Sequence, residues 1–88
     1  MADADTVVVY TTEPCGFCRQ AKALLESREI AFEEVNLARD AVGRERLAQL
    51  TGQMTFPQIL VGQRAIGGFR ELIEAERDGM LGTLLAPA

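Results

Sequence analysis

Cys15 and Cys18 stand three positions apart in the run Thr12-Glu13-Pro14-Cys15-Gly16-Phe17-Cys18. At that spacing one sulfur can attack a disulfide and the other can displace what remains, which is thiol–disulfide exchange. Val7-Val8-Val9-Tyr10 ahead of the pair reads as a buried strand, and Arg19 to Glu26 behind it is a run of helix formers. The cysteines therefore fall where a strand ends and a helix begins. The unpaired N–H groups of a first helical turn, and the positive end of its dipole, favour a thiolate there. The pKa of Cys15 is accordingly expected below the free value of about 8.5. Cys18, one turn further on the same side, is placed to attack a mixed disulfide formed at Cys15. Cys15 is read as the nucleophile and Cys18 as the resolving thiol. Gly16 leaves the outer sulfur approachable, and Phe17 shields the neighbouring surface.

Other uses of two cysteines fit less well. A structural disulfide would close a loop too short to constrain the unfolded chain much. A zinc site needs about four ligands, and the chain has two Cys and no His, so a metal would have to bridge two chains. A pair of inert buried thiols is the remaining alternative.

The 88 residues suit one domain over 1–88, with Met1 to Asp5 as a flexible lead-in. A content of 48% hydrophobic and 25% charged residues is that of a globular chain. There is no apolar run long enough for a membrane span and no signal-peptide pattern. A chain whose cysteines form one closely spaced pair suits a reducing, cytoplasmic setting. The net charge of −4 argues against nonspecific nucleic-acid binding. It also repels an anionic thiol co-substrate unless a local basic patch offsets it.

Six more elements follow the first strand and helix. Val7 to Tyr10, without polar alternation, suits a central strand covered on both faces. The first helix is expected over Gly16 to Arg28, with Phe17, Ala21, Leu24 and Leu25 as its buried stripe. Ile30 to Leu37 reads as a second strand, parallel to the first with a right-handed crossover. Asp40 is the candidate N-cap of a helix over Ala41 to Leu50, whose apolar stripe of Val42, Leu47 and Leu50 is thin. Gly52 supplies a left-handed stop. Ile59 to Val61 is a strand, Gly62-Gln63 a turn, and Arg64 to Ile66 an edge strand. Gly67-Gly68 opens a third helix carrying Phe69, Leu72, Ile73 and Glu76 on one side, ended by Asp78-Gly79. Met80 to Leu85 reads as a last short helix or tail.

Three segments in this order resemble the glutaredoxin family. Cys15-Gly16-Phe17-Cys18 is similar to its dithiol motif, and Thr55-Phe56-Pro57-Gln58-Ile59 to its Thr-Val-Pro segment. Ile66-Gly67-Gly68-Phe69-Arg70-Glu71-Leu72 is similar to its Gly-Gly segment. The resemblance spans Thr6 to Leu85. It implies an α/β thioredoxin fold, a four-stranded mixed sheet flanked by helices, with a cis peptide before Pro57. It further implies a monomeric thiol–disulfide oxidoreductase with no metal and no tightly bound cofactor. Glutathione would be its co-substrate, and disulfide-containing or glutathionylated proteins its partners. The implied glutathione contacts are the backbone at Phe56 and Pro57, which an extended peptide could pair with like an added strand, and Gly68, Phe69, Arg70 and Glu71 at the start of the third helix. There N–H groups would hold the γ-glutamyl carboxylate. Thr12, Arg44 and Gln53 stand at positions implied for the glycine carboxylate.

The chain departs from the family pattern in places. Thr12 replaces the usual Lys, which removes a cation, and Glu13 adds a like charge beside the thiolate. Arg19 is the nearby cation that could partly compensate. Glu71 replaces the usual Asp. Gly68-Phe69-Arg70 also echoes redoxins that take electrons from thioredoxin reductase for ribonucleotide reductase. A mycothiol-linked redoxin is another variant of the same chemistry. A different class is a glutathione-ligated [2Fe-2S] protein, since Cys15 to Phe17 match three positions of that Cys-Gly-Phe-Ser motif.

Overall fold

The computed structural model describes residues 6–62 and 64–79. The lead-in expected over Met1 to Asp5, Gln63 of the expected turn, and the helix or tail expected over Met80 to Leu85 lie outside the described residues. Four strands and three helices alternate along the rest: β1 (Val7–Thr11), α1 (Gly16–Ser27), β2 (Glu33–Asn36), α2 (Ala41–Thr51), β3 (Gln58–Val61), β4 (Arg64–Gly67) and α3 (Phe69–Arg77).

The strands form one mixed sheet in the order β2-β1-β3-β4. β1 runs parallel to β2 and antiparallel to β3, and β3 pairs antiparallel with β4. β1 is therefore internal, as its apolar run requires. Strand alternation sorts the side chains onto two faces. Val7 and Val9 of β1 and Ile59 and Val61 of β3 meet Ala21 and Leu25 of α1 and Leu72 of α3 in the main core. Leu60 points the other way and packs with Leu37 and with Leu47 of α2, flanked by Tyr10, Val35 and Phe56. Among the described residues, two helices cover one face and a single helix the other. This is the thioredoxin fold, with the four-stranded mixed sheet that the resemblance implies.

Several boundaries and faces differ from expectation. β2 begins at Glu33 and not at Ile30, because the Ile30 N–H donates to the Leu25 carbonyl at 2.9 Å. Ile30 thus closes the end of α1 instead of joining the sheet, and its side chain and that of Phe32 pack against the main core from a loop. On α1 the buried line is Cys18, Ala21 and Leu25. Phe17 lies one residue, about 100° of helix, off that line and is 60% exposed. On α2 only Leu47 is buried, while Val42 and Leu50 face solvent. That second face of the sheet is consequently the thinner one. The ends of α2 match the sequence. Asp40 accepts from the Gly43 N–H at 2.8 Å, and Gly52 adopts φ 75° as a left-handed stop.

Candidate active site

β1 delivers the chain to the top of the sheet, and α1 starts at once. Cys15 is the N-cap of α1 with extended backbone, φ −155° and ψ 98°. The Cys18 N–H, one turn into the helix, donates to Cys15 Sγ at 3.1 Å. That N–H is one of the orphan donors of a helix start, here turned on sulfur. The two cysteines are joined as a disulfide with Cα atoms 5.3 Å apart. Their exposures differ. Cys18 is 2% exposed, whereas Cys15 is half-buried at the rim. An outside disulfide can reach Cys15, and only a species already bound there can be reached by Cys18.

Two further segments meet the cysteine motif. The Phe17 ring stacks on Phe69, with centroids 5.7 Å apart and planes 29° from parallel. This contact ties the start of α1 to the start of α3. Gly68, the N-cap of α3, lies so close to Pro57 that a Cβ there would sit 3.3 Å from the Pro57 carbonyl oxygen. The Phe56–Pro57 peptide is cis, and so is Glu13–Pro14. The start of α3 is closed by its own side chain, since Glu71 Oε1 accepts from the Gly68 N–H at 2.8 Å. Phe69 is half-buried and Arg70 is exposed. Among the described residues no group of three or more His, Cys, Asp or Glu converges as a metal site.

The remaining residues named from sequence are divided among three surfaces. Thr12, Glu13 and Arg19 line an open groove of 690 Å³ that reaches Cys15. Gln53, Gly68 and Glu71 line a separate pocket with Gln58, which anchors the loop before Pro57 through bonds to the Gln53 and Thr55 carbonyls at 3.0 and 2.9 Å. Arg44 lines a third depression beside Met54, and its Nη1 donates to the Leu37 and Ala38 carbonyls at 2.6 and 3.0 Å. It stitches the β2–α2 connection and lies outside the groove at Cys15.

Sequence reasoning missed one wall of that groove. Lys22, Glu34, Asn36 and Arg39 line it together with Cys15. Lys22 Nζ bonds both Glu34 oxygens at 3.0 Å, and Thr11 Oγ1 donates to Glu34 Oε2 at 2.8 Å. The Lys22 bond, then the Thr11 bond, holds the Glu34 carboxyl below its ordinary value of 4.5 against a small opposing cost of burial. Asn36 donates to Glu13 at 2.7 Å. These contacts exist because parallel pairing sets Thr11 opposite Asn36, 25 positions along the chain. No local motif signals it.

The glutaredoxin family model matches residues 7–66. Glutaredoxin 3 of Escherichia coli K12 is 38% identical over 79 residues, covering 90% of this chain and 95% of that protein. A glutaredoxin of Pseudomonas aeruginosa is 39% identical over 80 residues, covering 91% and 95%. Among solved structures, a buckwheat glutaredoxin–glutathione complex superposes with a TM-score of 0.84 at 31% identity, covering 92% of this chain and 76% of that one. The glutaredoxin of Brucella melitensis gives 0.82 at 32% identity, covering 97% and 94%. An accessible sulfur at a helix start, a buried sulfur one turn on, and relatives that match almost end to end lead to one assignment: the chain belongs to the glutaredoxin family and is a thiol–disulfide oxidoreductase.

Proposed function

We propose that this oxidoreductase draws its electrons from glutathione and reduces protein disulfides and glutathione mixed disulfides. The Cys15 thiolate attacks the glutathionyl sulfur of a mixed disulfide. The S–S bond breaks, the protein leaves as a thiolate, and glutathione stays bonded to Cys15. A second glutathione thiolate then attacks that sulfur, releasing oxidised glutathione and the Cys15 thiolate. With a protein disulfide, Cys15 bonds one substrate sulfur and Cys18 displaces it. The resulting Cys15–Cys18 disulfide is reopened by two glutathiones. The reaction is proposed for a monomer in the reducing cytoplasm.

The observation that carries this reading is the convergence of Pro57 and the start of α3 on the cysteine motif through the Phe17–Phe69 stack. Backbone groups at Phe56 and Pro57 pair with the central cysteine of glutathione as a short strand. The N–H groups of Phe69, Arg70 and Glu71 at the start of α3 hold the γ-glutamyl carboxylate, while the Gly68 N–H is taken by Glu71 Oε1. Thr12, which lines the groove at Cys15, is the proposed hydroxyl contact for the glycine carboxylate, while Arg44 and Gln53 line two other surfaces and are not assigned to it. The buckwheat relative with a similar backbone was solved as a glutathione complex, which supports the same use here.

The test is reduction of a glutathione mixed disulfide coupled to glutathione reductase, for wild type and Cys18→Ser. Turnover by both supports the proposal, because Cys15 and glutathione then suffice. No turnover by either removes glutathione as donor, and thioredoxin reductase becomes the donor to try.

A further inference from the structure

The groove at Cys15 runs away from Phe69 and Pro57, along α1, β2 and the β2–α2 connection. Its lining carries Arg19, Lys22 and Arg39 against Glu13 and Glu34. That is an excess of positive charge on a chain whose formal net charge is −4. The cations are not equivalent. Lys22 is committed to Glu34 in an ion pair at 3.0 Å. Arg19 and Arg39 are exposed and, among the described residues, enter no ion pair. Glu13 is hydrogen-bonded by Asn36. Two uncommitted guanidinium groups thus flank a groove that ends at the accessible sulfur. Guanidinium pairs well with carboxylate, and uncompensated charge at the rim of a reaction site steers a partner of opposite sign.

We infer that this groove receives the polypeptide arm of the substrate, and that Arg39, with Arg19, selects protein disulfides flanked by acidic residues. The inference rests on Cys15 as the nucleophile and not on glutathione as the donor. In the step concerned, the Cys15 thiolate bonds one sulfur of the substrate disulfide. The other substrate sulfur leaves as a thiolate and takes a proton. Cys18 gives up its proton, attacks Cys15, and releases the second substrate thiol. The substrate gains two electrons and the protein is left with the Cys15–Cys18 disulfide. The acidic neighbours of the substrate cysteine lie along the groove meanwhile, toward the β2–α2 connection where Arg39 stands.

The experiment uses the full chain, reduced and freed of excess reductant, mixed in single turnover with two peptide disulfides that differ only in Glu or Gln beside the cysteine. No glutathione is present, so loss of the glutathione reading would leave this test intact. At low ionic strength the Glu peptide is expected to react faster. Arg39→Gln should reduce the Glu-to-Gln rate ratio roughly two- to fivefold, the scale of one exposed charge pair. Arg39→Lys should recover most of it, Arg19→Gln should act in the same direction, and added salt should erase the preference. Circular dichroism confirms that each variant is folded. A wild-type ratio of one, or a ratio unchanged in Arg39→Gln, overturns the inference. So does a variant that slows both peptides equally. If Arg39→Gln instead impairs only glutathione-coupled turnover, the arginine serves the carboxylate of glutathione and the inference fails.

Discussion

The backbone N–H of Cys18 points at Cys15 Sγ from 3.1 Å, so the residue that resolves the reaction also supplies a donor to the sulfur that begins it. The donor is main-chain, and it survives replacement of the Cys18 side chain. Cys15→Ser is expected to abolish activity in every assay. Cys18→Ser should keep turnover of glutathione mixed disulfides and lose dithiol reduction of protein disulfides. Substantial turnover by Cys15→Ser would mean that the nucleophile is misassigned.

Thr12 lines the groove at Cys15 where a cation would face both the thiolate and an anionic co-substrate. Thr12→Lys should lower the KM for glutathione by roughly two- to fivefold, as one exposed charge interaction allows. It should also let Cys15 react with an alkylating reagent at lower pH. If neither KM nor the alkylation profile moves, Thr12 is not part of the site.

Gly67 has φ 124°, and a Cβ there would lie 2.8 Å from Cγ of Glu71, the side chain that closes the start of α3. Gly67→Ala therefore combines backbone strain with displacement of a cap. A loss of about 1–3 kcal/mol is expected, read as a drop of several degrees in Tm. Gly16→Ala, where a Cβ would meet nothing within 4 Å, is the comparison. Equal Tm values for the two variants would refute the assignment of strain to Gly67.

The Phe17–Phe69 stack joins two helices that otherwise meet through the core below. A double-mutant cycle with Phe17→Ala and Phe69→Ala is expected to give a coupling of about 0.5–1.5 kcal/mol. Phe69→Ala should cost more than Phe17→Ala, because Phe69 also packs against the main core while Phe17 is 60% exposed. Additive effects would show that the rings contribute separately.

Glu34 carries the pH signature. Its folded pKa lies below 4.5 because Lys22 and Thr11 hold the charged form. The stabilisation is therefore fully present above the usual carboxylate range and is lost as pH falls through the lowered folded value. Wild type should exceed Glu34→Gln in Tm near neutral pH by a small margin, since the pair is partly open to solvent. That margin should shrink on acidification across this window. A margin that grows toward low pH would contradict the ion pairing of Glu34.

Much of the fold was legible in local pattern. The apolar run Val7 to Tyr10, the cap at Asp40 and the stop at Gly52 act within a few residues of themselves, so their chemistry is visible in the order of residue types. The cysteine pair belongs to the same kind, because its function depends on one helix turn. The limits of the pattern are also physical. Ile30 looks like a strand residue, but its N–H goes to Leu25, a competition between helix closure and sheet that composition does not settle. Phe17 looks like core, yet its angular position on α1 leaves it at the surface against Phe69.

What the sequence by itself determined is the reaction: two sulfurs three positions apart, one at a helix start and one a turn inside it. The tertiary structure alone decided what surrounds them. Parallel pairing of β1 with β2 brought Glu34 and Asn36 to the side of Cys15, and the β2–α2 connection carried Arg39 to the same groove. It also committed Arg44 to the carbonyls of Leu37 and Ala38. Such contacts join residues far apart in the chain through backbone register and side-chain reach. They arise from packing the whole sheet, and no short segment encodes them.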